Sequence, residues 1–511
     1  MYPGVYSRLQ PDKVAVWRPS TGEGLTYAEL DRRSNQLAQY LRAQGVKRGD
    51  HLACFLDNQV AFFEIIWACM RSGLYFTAIN HHLAVGEAAY IVEDCDAIAL
   101  IASANFEQSA ELGRVTPACG IKLAIAGEID GFANYEQALS GQPFTPLADE
   151  SVGSVMLYSS GTTGRPKGII RPLPEGPISE GIPGLTSIIN GFGLDGDTVY
   201  LCPAPLYHAA PSGWSTAVQQ VGGTVVLMDR FDAEMALQLI ERYRVTHAQF
   251  VPAMFIRMLK LDPELRDQYD LASVRMAIHS AAPCPVEVKR RMIEWWGPVI
   301  YEYYSSTESA GFARISSEEW LEHPGSVGRS LGAPFHICDD DGNELPAGQP
   351  GLIYGESPTG KSFSYHKDDG KTHAALHPAH PGWITVGDIG YLDENGFLYL
   401  TDRKSFMIIS GGVNIYPQQI ENVLAMHPAL TDVAVIGVPN EDLGEEVKAV
   451  VQLAAGVEPS DALAAQLMAL VTAELGKQLT PRSVDFVDEL PRTPTGKLLK
   501  KELRDKYWLQ G

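Results

Sequence analysis

The sequence predicts an α/β protein with a large N-terminal domain, in which sheets built from βαβ units pack with helices, and a small C-terminal α+β domain. Three observations support this fold class. A chain of 511 residues is too long for one small core. Strand-like and helix-like segments alternate over about the first 400 residues, which is typical of largely parallel sheets. After Gly387 the pattern changes to a hairpin followed by short strands, one helix and a Lys/Arg-rich end.

Capping signals and the spacing of apolar residues predict the elements in chain order. Thr26 and Glu29 match a capping box, which predicts that a helix begins after Thr26. Leu30, Leu37 and Leu41 continue this helix at helical spacing. Strand, helix and strand then follow one another in three stretches: HLACFLD, VAFFEIIWACMRSG and LYFTAIN; GGTVVLM, DAEMALQLIERYRV and THAQFVP; VRMAIHSAA, VEVKRRMIEWWG and VIYEYY. These stretches predict βαβ units.

The C-terminal part follows a predicted hairpin. The stretch VGDIGYLDENGFLYLTDRK has Glu394-Asn395-Gly396 at the turn between its two strands. Beyond it, DVAVIGV and VKAVVQL predict strands, and ALAAQLMALVTAEL predicts a helix. We place the boundary after Arg403, which gives a large domain over residues 1–403 and a small domain over residues 404–511.

Composition argues against several classes of protein. The formal charge of −22 argues against a nucleic-acid-binding protein, which would show a basic face. No apolar run approaches the roughly 18–20 residues that span a bilayer, so integral membrane association is not expected. The N-terminal segment lacks a secretory signal pattern, and the seven cysteines are scattered. We therefore expect a cytoplasmic protein with reduced thiols and no zinc site.

The most informative segment is YSSGTTGRPKG, residues 158–168, which follows the strand-like stretch SVGSVML. Its three glycines permit unusual backbone angles. Its Ser and Thr hydroxyls, together with free N–H groups, suit the binding of phosphate oxygens, and Lys167 adds a positive charge. The segment differs from the Walker A pattern because Pro166 precedes Lys167 and Gly168 follows it. A short Gly/Ser/Thr stretch alone is also compatible with a polar surface loop.

The whole string resembles the signature loop of the adenylate-forming superfamily, which includes acyl-CoA synthetases, adenylation domains of peptide synthetases and firefly-type luciferases. In that family the loop grips the β- and γ-phosphates of ATP. The resemblance implies that ATP is a substrate and that the small domain is mobile. It also implies that the phosphates contact residues of this loop: Ser159, Ser160, Gly161, Thr162, Thr163, Gly164 and Lys167.

Two further motifs resemble the family's adenine-binding and metal-binding segments. The first is Tyr304-Ser305-Ser306-Thr307-Glu308, which is similar to the aromatic-x-x-Thr-Glu motif. The resemblance implies that Tyr304 stacks on adenine, that Thr307 bonds the α-phosphate and that Glu308 holds Mg²⁺, which prefers oxygen ligands. The second is HSAAP, residues 279–283, which is similar to the small-residue segment along adenine and implies contacts from Ser280, Ala281 and Ala282.

The ribose and the reacting centre have their own motifs. WITVGD, residues 383–388, resembles G-[WF]-x-x-T-G-D, with Val386 where Thr is usual. The resemblance implies that Asp388 accepts both ribose hydroxyls and that Arg403 makes the second ribose contact. Pro494-Thr495-Gly496-Lys497 resembles the catalytic-lysine motif. A lysine suits a transition state that joins a carboxylate to an α-phosphate, because both carry negative charge.

An acyl pocket is implied by PLYH, residues 205–208, which matches the family's segment at the pocket mouth. We interpret His208 as gating or packing against the acyl group rather than as a general base. A carboxylic acid with a pKa near ~4 is already ionised at pH 7. A structural histidine is the alternative. Proximity to the motifs adds four candidate pocket residues: Trp214, Phe250, Met254 and Ser305.

The small domain carries the features that the family uses for thioester formation. Ser410, Gly411 and Gly412 resemble the loop that helps to present the thiol of coenzyme A. Ser405 stands at the family's hinge position, where Asp or Lys is common. Because that charge is missing, the sequence supports adenylation more strongly than the rotation for thioester formation.

The combined prediction is an ATP- and Mg²⁺-dependent acyl-CoA synthetase that activates a hydrophobic acid through acyl-AMP and transfers it to coenzyme A. We rank a medium- or long-chain fatty acid first, a bulky polycyclic acid second and an aryl acid third. The alternative is a stand-alone adenylation enzyme that loads an acid onto a carrier protein. A non-catalytic binding protein of this fold would lack Lys497 or Glu308, and the sequence has both. Analogy with the family is compatible with a homodimer.

Overall fold

The computed structural model describes residues 1–159, 166–356, 363–492 and 498–508. It contains two compact units, each assembled from separate stretches of the chain. The first unit consists of Met1–Gln249, Pro263–Met276 and Lys361–His373. The second consists of Phe250–Asp262, Ala277–Gly360 and Ala374–Gly511. The boundary proposed after Arg403 falls within the second unit and stays a prediction.

Helices and strands alternate along most of the chain. The helices are α1 Pro3–Leu9, α2 Tyr27–Ala43, α3 Ala61–Arg71, α4 Val85–Asp94, α5 Gln108–Val115, α6 Tyr135–Leu139, α7 Thr186–Gly191, α8 Ala209–Gln220, α9 Ala233–Tyr243, α10 Pro252–Leu259, α11 Pro263–Arg266, α12 Val286–Trp296, α13 Ser317–Glu322, α14 Asp369–Ala374, α15 Pro417–Leu424, α16 Asp461–Leu475 and α17 Lys500–Trp508. In the described ranges, no helix is both long enough and apolar enough to cross a bilayer.

The strands are β1 Val14–Arg18, β2 Glu23–Thr26, β3 His51–Phe55, β4 Tyr75–Ala78, β5 Ala97–Ser103, β6 Ile121–Ile125, β7 Ala133–Asn134, β8 Ser154–Val155, β9 Leu157–Ser159, β10 Lys167–Ile170, β11 Val199–Cys202, β12 Thr224–Leu227, β13 His247–Phe250, β14 Met276–His279, β15 Ile300–Ser305, β16 Phe312–Ile315, β17 Ser326–Ser330, β18 Phe335–Cys338, β19 Gly351–Glu356, β20 Ser364–Tyr365, β21 Trp383–Ile384, β22 Asp388–Leu392, β23 Leu398–Arg403, β24 Ile408–Ser410, β25 Val413–Ile415, β26 Leu430–Asn440, β27 Gly444–Leu453 and β28 Ser483–Val487. Together with the helices they confirm the predicted α/β class.

The first unit is built around parallel sheets. One has the strand order β7-β6-β5-β3-β4-β8, and its neighbouring strands run parallel. Another has the order β13-β11-β12-β1-β2 and is parallel apart from β2. The predicted capping box at Thr26 and Glu29 begins α2, as expected. The strands of the first sheet bury residues on both faces, because parallel sheets are covered by helices on both sides.

A small antiparallel sheet in the first unit carries the glycine-rich segment. Its strand order is β20-β10-β9, and segment 158–168 begins in β9 and ends in β10. Tyr158 lies opposite Gly168, and Ser159 lies opposite Lys167. The two ends of the segment are therefore held side by side in a hairpin.

The second unit contains a mixed sheet that carries the predicted nucleotide motifs. β14 and β15 are parallel, and β15 is followed across the sheet by antiparallel β16, β17, β23, β22, β19 and β18. The predicted hairpin is confirmed as β22 and β23, which pair Asp388 with Arg403. Tyr304 lies on β15 in the same sheet.

The C-terminal part of the second unit forms its own small sheet. Its order is β25-β24-β27-β26, with β28 parallel to β27. Helices α15 and α16 contribute buried side chains to its core, among them Ile420, Leu424, Leu467 and Val471. This sheet and its two helices form an α+β arrangement of the kind that the sequence predicts for residues 404–511.

Candidate active site

Three residues that the sequence assigns to the nucleotide meet in the second unit. The Tyr304 hydroxyl donates a hydrogen bond of 2.8 Å to Asp388 Oδ2, and Arg403 Nε donates one of 3.1 Å to Asp388 Oδ1. The β22–β23 register places Asp388 opposite Arg403. Tyr304 is buried, with its ring 5.9 Å from that of Phe335. The cluster is therefore assembled by the fold itself.

The charges in this cluster favour a fixed hydrogen-bond pattern. Burial and the Asp388 carboxylate raise the pKa of Tyr304 well above its usual value, so the hydroxyl stays protonated and donates at neutral pH. Each carboxylate oxygen of Asp388 takes one protein donor. A carboxylate offers about four acceptor sites, so capacity remains for ribose hydroxyls. The ribose contacts of Asp388 and Arg403 stay predictions.

Thr307 and Glu308 lie in a tight turn directly after β15. Ser309 N donates to Ser306 O over 3.0 Å, and Ala310 N donates to Ser306 Oγ over 3.1 Å. Ser309 has a φ of 61°, in the left-handed region. Glu308 is only 9% exposed. A buried carboxylate in a turn offers the oxygen ligands that suit Mg²⁺, and the residues therefore fit the predicted metal role.

The predicted adenine segment shows backbone strain. Ala281 has a φ of 73°, which is uncommon for a residue with a Cβ atom. The preceding Ser280 is buried, and its N–H points to Phe250 O at 3.4 Å. Strained backbone of this kind persists only where its surroundings hold it, and it concentrates at functional sites. Its position between β14 and α12 agrees with a binding role for residues 280–282, which stays a prediction.

Sequence reasoning missed a buried ion pair beside these motifs. Lys289 Nζ on α12 lies 2.7 Å from Glu302 Oε2 on β15, and both side chains are buried. His279 Nε2 lies 3.5 Å from the same oxygen, and burial lowers the pKa of His279 well below its usual value. The inward spacing of Ile300, Glu302 and Tyr304 on one strand was the available signal, because alternate residues share a face.

A cavity of about 260 Å³ in the second unit borders this ion pair. Glu302 contributes to its wall, and so does Cys284, which follows the predicted adenine segment. Thr401 and the small-domain residues Gln418 and Gln419 line it as well. The cavity is therefore lined by residues that lie close in sequence to the predicted adenine segment (Cys284) and to the predicted ribose contact Arg403 (Thr401).

The phosphate segment is described only at its ends. Lys167 lies in β10, and its Nζ atom is 5.0 Å from the centre of the Tyr365 ring, as in a cation–π contact. Residues 160–165 lie outside the described residues, as does the side chain of Ser159. The predictions for Ser160, Gly161, Thr162, Thr163 and Gly164 therefore have no structural counterpart here. Lys497 also lies outside the described residues.

The candidate acyl-pocket residues are divided between the two units. In the first unit, the His208 ring lies 4.5 Å from that of Tyr207, and Trp214 is fully buried, 4.8 Å from Phe192. In the second unit, Phe250 and Met254 are buried, and Ser305 Oγ donates to Gly311 O over 3.2 Å. Their assignment to one pocket stays a prediction.

The proposed thioester loop forms the turn of the β24–β25 hairpin. Gly411 and Gly412 both have positive φ, 58° and 81°, and Ser410 pairs with Val413. Two successive left-handed residues are what a tight hairpin turn requires, and glycine adopts them without strain. Ser405 lies in a 3₁₀ turn between β23 and β24, and its carbonyl accepts from Arg504 Nη1 over 3.3 Å. The functional roles of this loop and of Ser405 stay predictions.

This combination of features defines an α/β enzyme that binds a nucleotide. The Tyr304–Asp388–Arg403 cluster carries hydrogen-bond acceptors and donors of the kind that bind a ribose, and the buried carboxylate of Glu308 lies in the turn after β15. A strained small-residue segment and a hairpin with a glycine-rich loop accompany them.

Comparison with known proteins shows the family. Residues 6–360 match the family described as AMP-binding enzyme, and residues 419–497 match the AMP-binding enzyme C-terminal domain. The chain therefore belongs to the AMP-binding enzyme family, as the resemblance to the adenylate-forming superfamily predicted. This is the class of AMP-forming acid–thiol ligases, which use ATP with Mg²⁺ and take coenzyme A as a cosubstrate.

Similar proteins include several ligases. The chain is 33% identical to feruloyl-CoA synthase from Amycolatopsis sp over 504 residues, covering 98% of this chain and 97% of the relative. It is 30% identical to the fatty acid–[acyl-carrier-protein] ligase ScoC from Streptomyces coeruleorubidus, covering 95% and 92%. The anthranilate CoA ligase AuaEII, solved with anthranoyl-AMP, matches with a TM-score of 0.85 and 25% identity, covering 99% of this chain and 97% of that one.

Proposed function

We propose that this protein converts a hydrophobic carboxylic acid to its coenzyme A thioester through an acyl-AMP intermediate. The observation that carries the proposal is the Tyr304–Asp388–Arg403 cluster, which links three separate predicted nucleotide motifs through hydrogen bonds of 2.8 and 3.1 Å. Membership of the AMP-binding enzyme family supports the same chemistry.

In the first half-reaction, a carboxylate oxygen of the acid attacks the α-phosphorus of ATP. An O–P bond forms, the bond to the β-phosphate oxygen breaks, and pyrophosphate leaves. Tyr304 packs against the adenine, Asp388 and Arg403 hold the ribose, and Lys497 balances the negative charge that gathers between carboxylate and phosphate. Mg²⁺, held through the Glu308 carboxylate, supplies positive charge to the phosphates when bound.

In the second half-reaction, the thiol of coenzyme A attacks the acyl carbon of acyl-AMP and AMP leaves. The 410–412 turn presents the thiol after the small domain has rotated about Ser405. The S–C bond forms as the C–O bond to AMP breaks, and the proton of the thiol passes to solvent. Because Ser405 lacks the charge common at this position, adenylation is the more firmly supported half-reaction.

We favour an aryl or arylalkyl acid as the substrate. Similarity to feruloyl-CoA synthase and to the anthranilate ligase AuaEII supports an aromatic acid, although sequence reasoning alone ranked fatty acids first. Similarity to ScoC favours the second candidate function, in which a fatty acid is loaded onto a carrier protein. A cytoplasmic location and a homodimer also stay predictions.

The test is a panel of acids offered to the purified full chain with ATP and Mg²⁺. Substituted benzoates, cinnamates and arylacetates are compared with medium- and long-chain fatty acids, and coenzyme A is compared with a phosphopantetheinylated carrier protein. Thioester products are identified by mass spectrometry. We expect kcat/KM for the best aromatic acid with coenzyme A to exceed that for any fatty acid by at least roughly tenfold.

Two outcomes would change the proposal. Thioester found only on the carrier protein, with fatty acids as the preferred substrates, would overturn the coenzyme A proposal in favour of carrier loading. Equal or greater activity with fatty acids on coenzyme A would overturn the aromatic preference alone.

A further inference from the structure

The base of the β9–β10 hairpin is tied to the end of helix α4. The hydroxyl of Tyr158, on β9, donates a hydrogen bond of 2.5 Å to Asp94 Oδ2, at the last residue of α4. Gly168 lies opposite Tyr158 on β10, and a Cβ atom there would stand 2.9 Å from Cζ of the Tyr158 ring. Glycine at this position therefore leaves the tyrosine room to reach Asp94.

A second connection reaches the same place from a distant part of the sequence. β20 pairs with β10, and the next residue, His366, donates from its N–H to Gly168 O over 2.8 Å. Lys367 Nζ then donates to Asp94 O over 2.7 Å and to Asp96 Oδ1 over 2.9 Å. A lysine bonded to the carbonyl of a helix's last residue also suits the negative end of the helix dipole.

Both ends of the Lys367–Asp96 ion pair have an unfavourable backbone. The φ angles of Asp96 and Lys367 are 53° and 55°, in the left-handed region. Neither residue is glycine, so each conformation costs free energy that the surrounding contacts must supply. The two strained residues contact one another directly beside the hairpin.

The same segment orients the lysine of the glycine-rich loop. Tyr365 precedes His366, and its ring lies 5.0 Å from Lys167 Nζ. The strand before the loop is thus fixed through Tyr158, and the strand after it through Tyr365, His366 and Lys367. Both connections end on the Asp94–Asp96 segment.

We propose that Asp94 anchors the hairpin of the phosphate loop, and that Tyr158 and Lys367 are positioning residues that set the affinity of the enzyme for ATP. This inference rests on the proposed role of residues 159–164 in holding the β- and γ-phosphates. Strands fixed in advance reduce the conformational entropy that a binding loop loses when its ligand arrives. A hairpin without the anchor would lose more conformational entropy when ATP binds, and its affinity for ATP would be lower.

AMP provides a sharp comparison because it lacks the β- and γ-phosphates. Tyr158→Phe removes the anchor's hydrogen bond, and Asp94→Asn replaces its charged acceptor with a neutral amide oxygen, both with little change in shape. We expect each to raise KM for ATP roughly five- to tenfold, as the loss of a hydrogen bond to a carboxylate permits. The inhibition constant of AMP and the KM of the acid should change less than about twofold.

The matched control is Tyr27→Phe. Tyr27 is fully buried in the same unit, and its hydroxyl donates to Gly223 O over 2.6 Å. This variant loses a tyrosine hydrogen bond of similar geometry elsewhere in the unit, so it should lower the melting temperature without raising KM for ATP. The double variant Tyr158→Phe/Asp94→Asn should resemble Tyr158→Phe alone, because both substitutions act on the same hydrogen bond.

The anchor is overturned if Tyr158→Phe and Asp94→Asn lower the melting temperature as Tyr27→Phe does and leave KM for ATP unchanged. It is also overturned if KM for ATP and the inhibition constant of AMP rise together, since AMP does not reach the loop. A failure of the proposed function would give a different result from a failure of this inference. The wild-type protein would then release no pyrophosphate with any acid, whatever the variants do.

Discussion

Asp388 connects side chains from two distant parts of the chain. Tyr304 reaches it from β15 and Arg403 from the facing strand β23, so one carboxylate fixes an aromatic ring and a guanidinium group at once. An ordered carboxylate of this kind binds a ribose with little loss of side-chain freedom. We therefore propose that the hydroxyl of Tyr304 contributes to nucleotide binding in addition to the predicted stacking of its ring on adenine.

Tyr304→Phe tests that contribution at the scale of one residue. It retains the ring and removes the hydrogen bond to Asp388. A bond to a charged acceptor is worth about 1.5–3 kcal/mol. We expect about half of that free energy to be lost from nucleotide binding, so that KM for ATP and the inhibition constant of AMP both rise roughly three- to tenfold. The two constants are measured by steady-state kinetics in the pyrophosphate-release assay.

The neighbouring tyrosine provides the control for this substitution. Tyr303 faces the other side of β15, where its ring stacks 5.5 Å from that of Phe312. Tyr303→Phe should leave both constants within about twofold of wild type. Equal effects of the two substitutions, or no effect of Tyr304→Phe, would show that the hydroxyl of Tyr304 has no part in nucleotide binding.

At the scale of residues, the sequence predicted which residues form the candidate site better than it predicted the contacts that hold them. The motif order singled out Tyr304, Asp388 and Arg403, and the structure brings them together. The bonds of Tyr158 to Asp94 and of Lys367 to Asp96 were not foreseen. Motif spacing carries information about local backbone geometry, whereas these bonds depend on which distant segment packs beside the hairpin.

At the scale of elements, the ion pair between Lys289 and Glu302 joins α12 to β15. Both groups are buried, so each has lost the hydration that stabilises its charge. Desolvation lowers the pKa of Lys289 and raises that of Glu302, and the attraction between them opposes both shifts. Glu302 precedes Tyr304 by two residues on β15, so the pair holds this part of the strand to α12.

Lys289→Met tests how strongly this pair matters. It leaves Glu302 buried without its partner, so we expect the free energy of unfolding to fall by about 3–5 kcal/mol. Lys289→Met/Glu302→Leu removes both charges of this pair, and most of that loss should be recovered. Denaturant unfolding of the full chain, followed by tryptophan fluorescence, measures both variants.

Lys404→Met is the matched control. Lys404 Nζ lies 2.5 Å from Asp340 Oδ1, but both side chains are largely exposed, and such pairs contribute about 0–1 kcal/mol. Two results would show that the buried pair does not stabilise the packing of α12 on β15. In the first, Lys289→Met lowers the free energy of unfolding no more than Lys404→Met does. In the second, the double variant Lys289→Met/Glu302→Leu is less stable than Lys289→Met.

The elements themselves were largely predictable. Capping at Thr26, the alternation of strands and helices, and the hairpin of β22 and β23 all follow from local patterns, and all are present. Which stretches of the chain belong to each of the two compact units was not predictable. Residues 250–262 belong to the second unit and residues 361–373 to the first, although the chain on both sides of each segment belongs to the other unit. The periodicity of apolar residues carries no information about such tertiary packing.

At the scale of the whole molecule, we propose that the two units contribute different residues to the same reaction. The first unit contains the β9–β10 hairpin of the predicted phosphate segment. The second contains the Tyr304–Asp388–Arg403 cluster and the small C-terminal sheet with its helices. Family membership over residues 6–360 and 419–497 supports the proposal that these parts serve adenylate formation. The central claim is that an acid and ATP react on this chain before any thiol is needed.

The most direct test is acid-dependent exchange of labelled pyrophosphate into ATP, measured without coenzyme A. We predict exchange that requires a hydrophobic acid, falls at least roughly 100-fold in Lys497→Ala, and stays within about twofold of wild type in Lys501→Ala. Lys501 is a suitable control because it pairs with Asp505 on the face of α17. Exchange that is absent with every acid, or that survives in Lys497→Ala, would contradict the account.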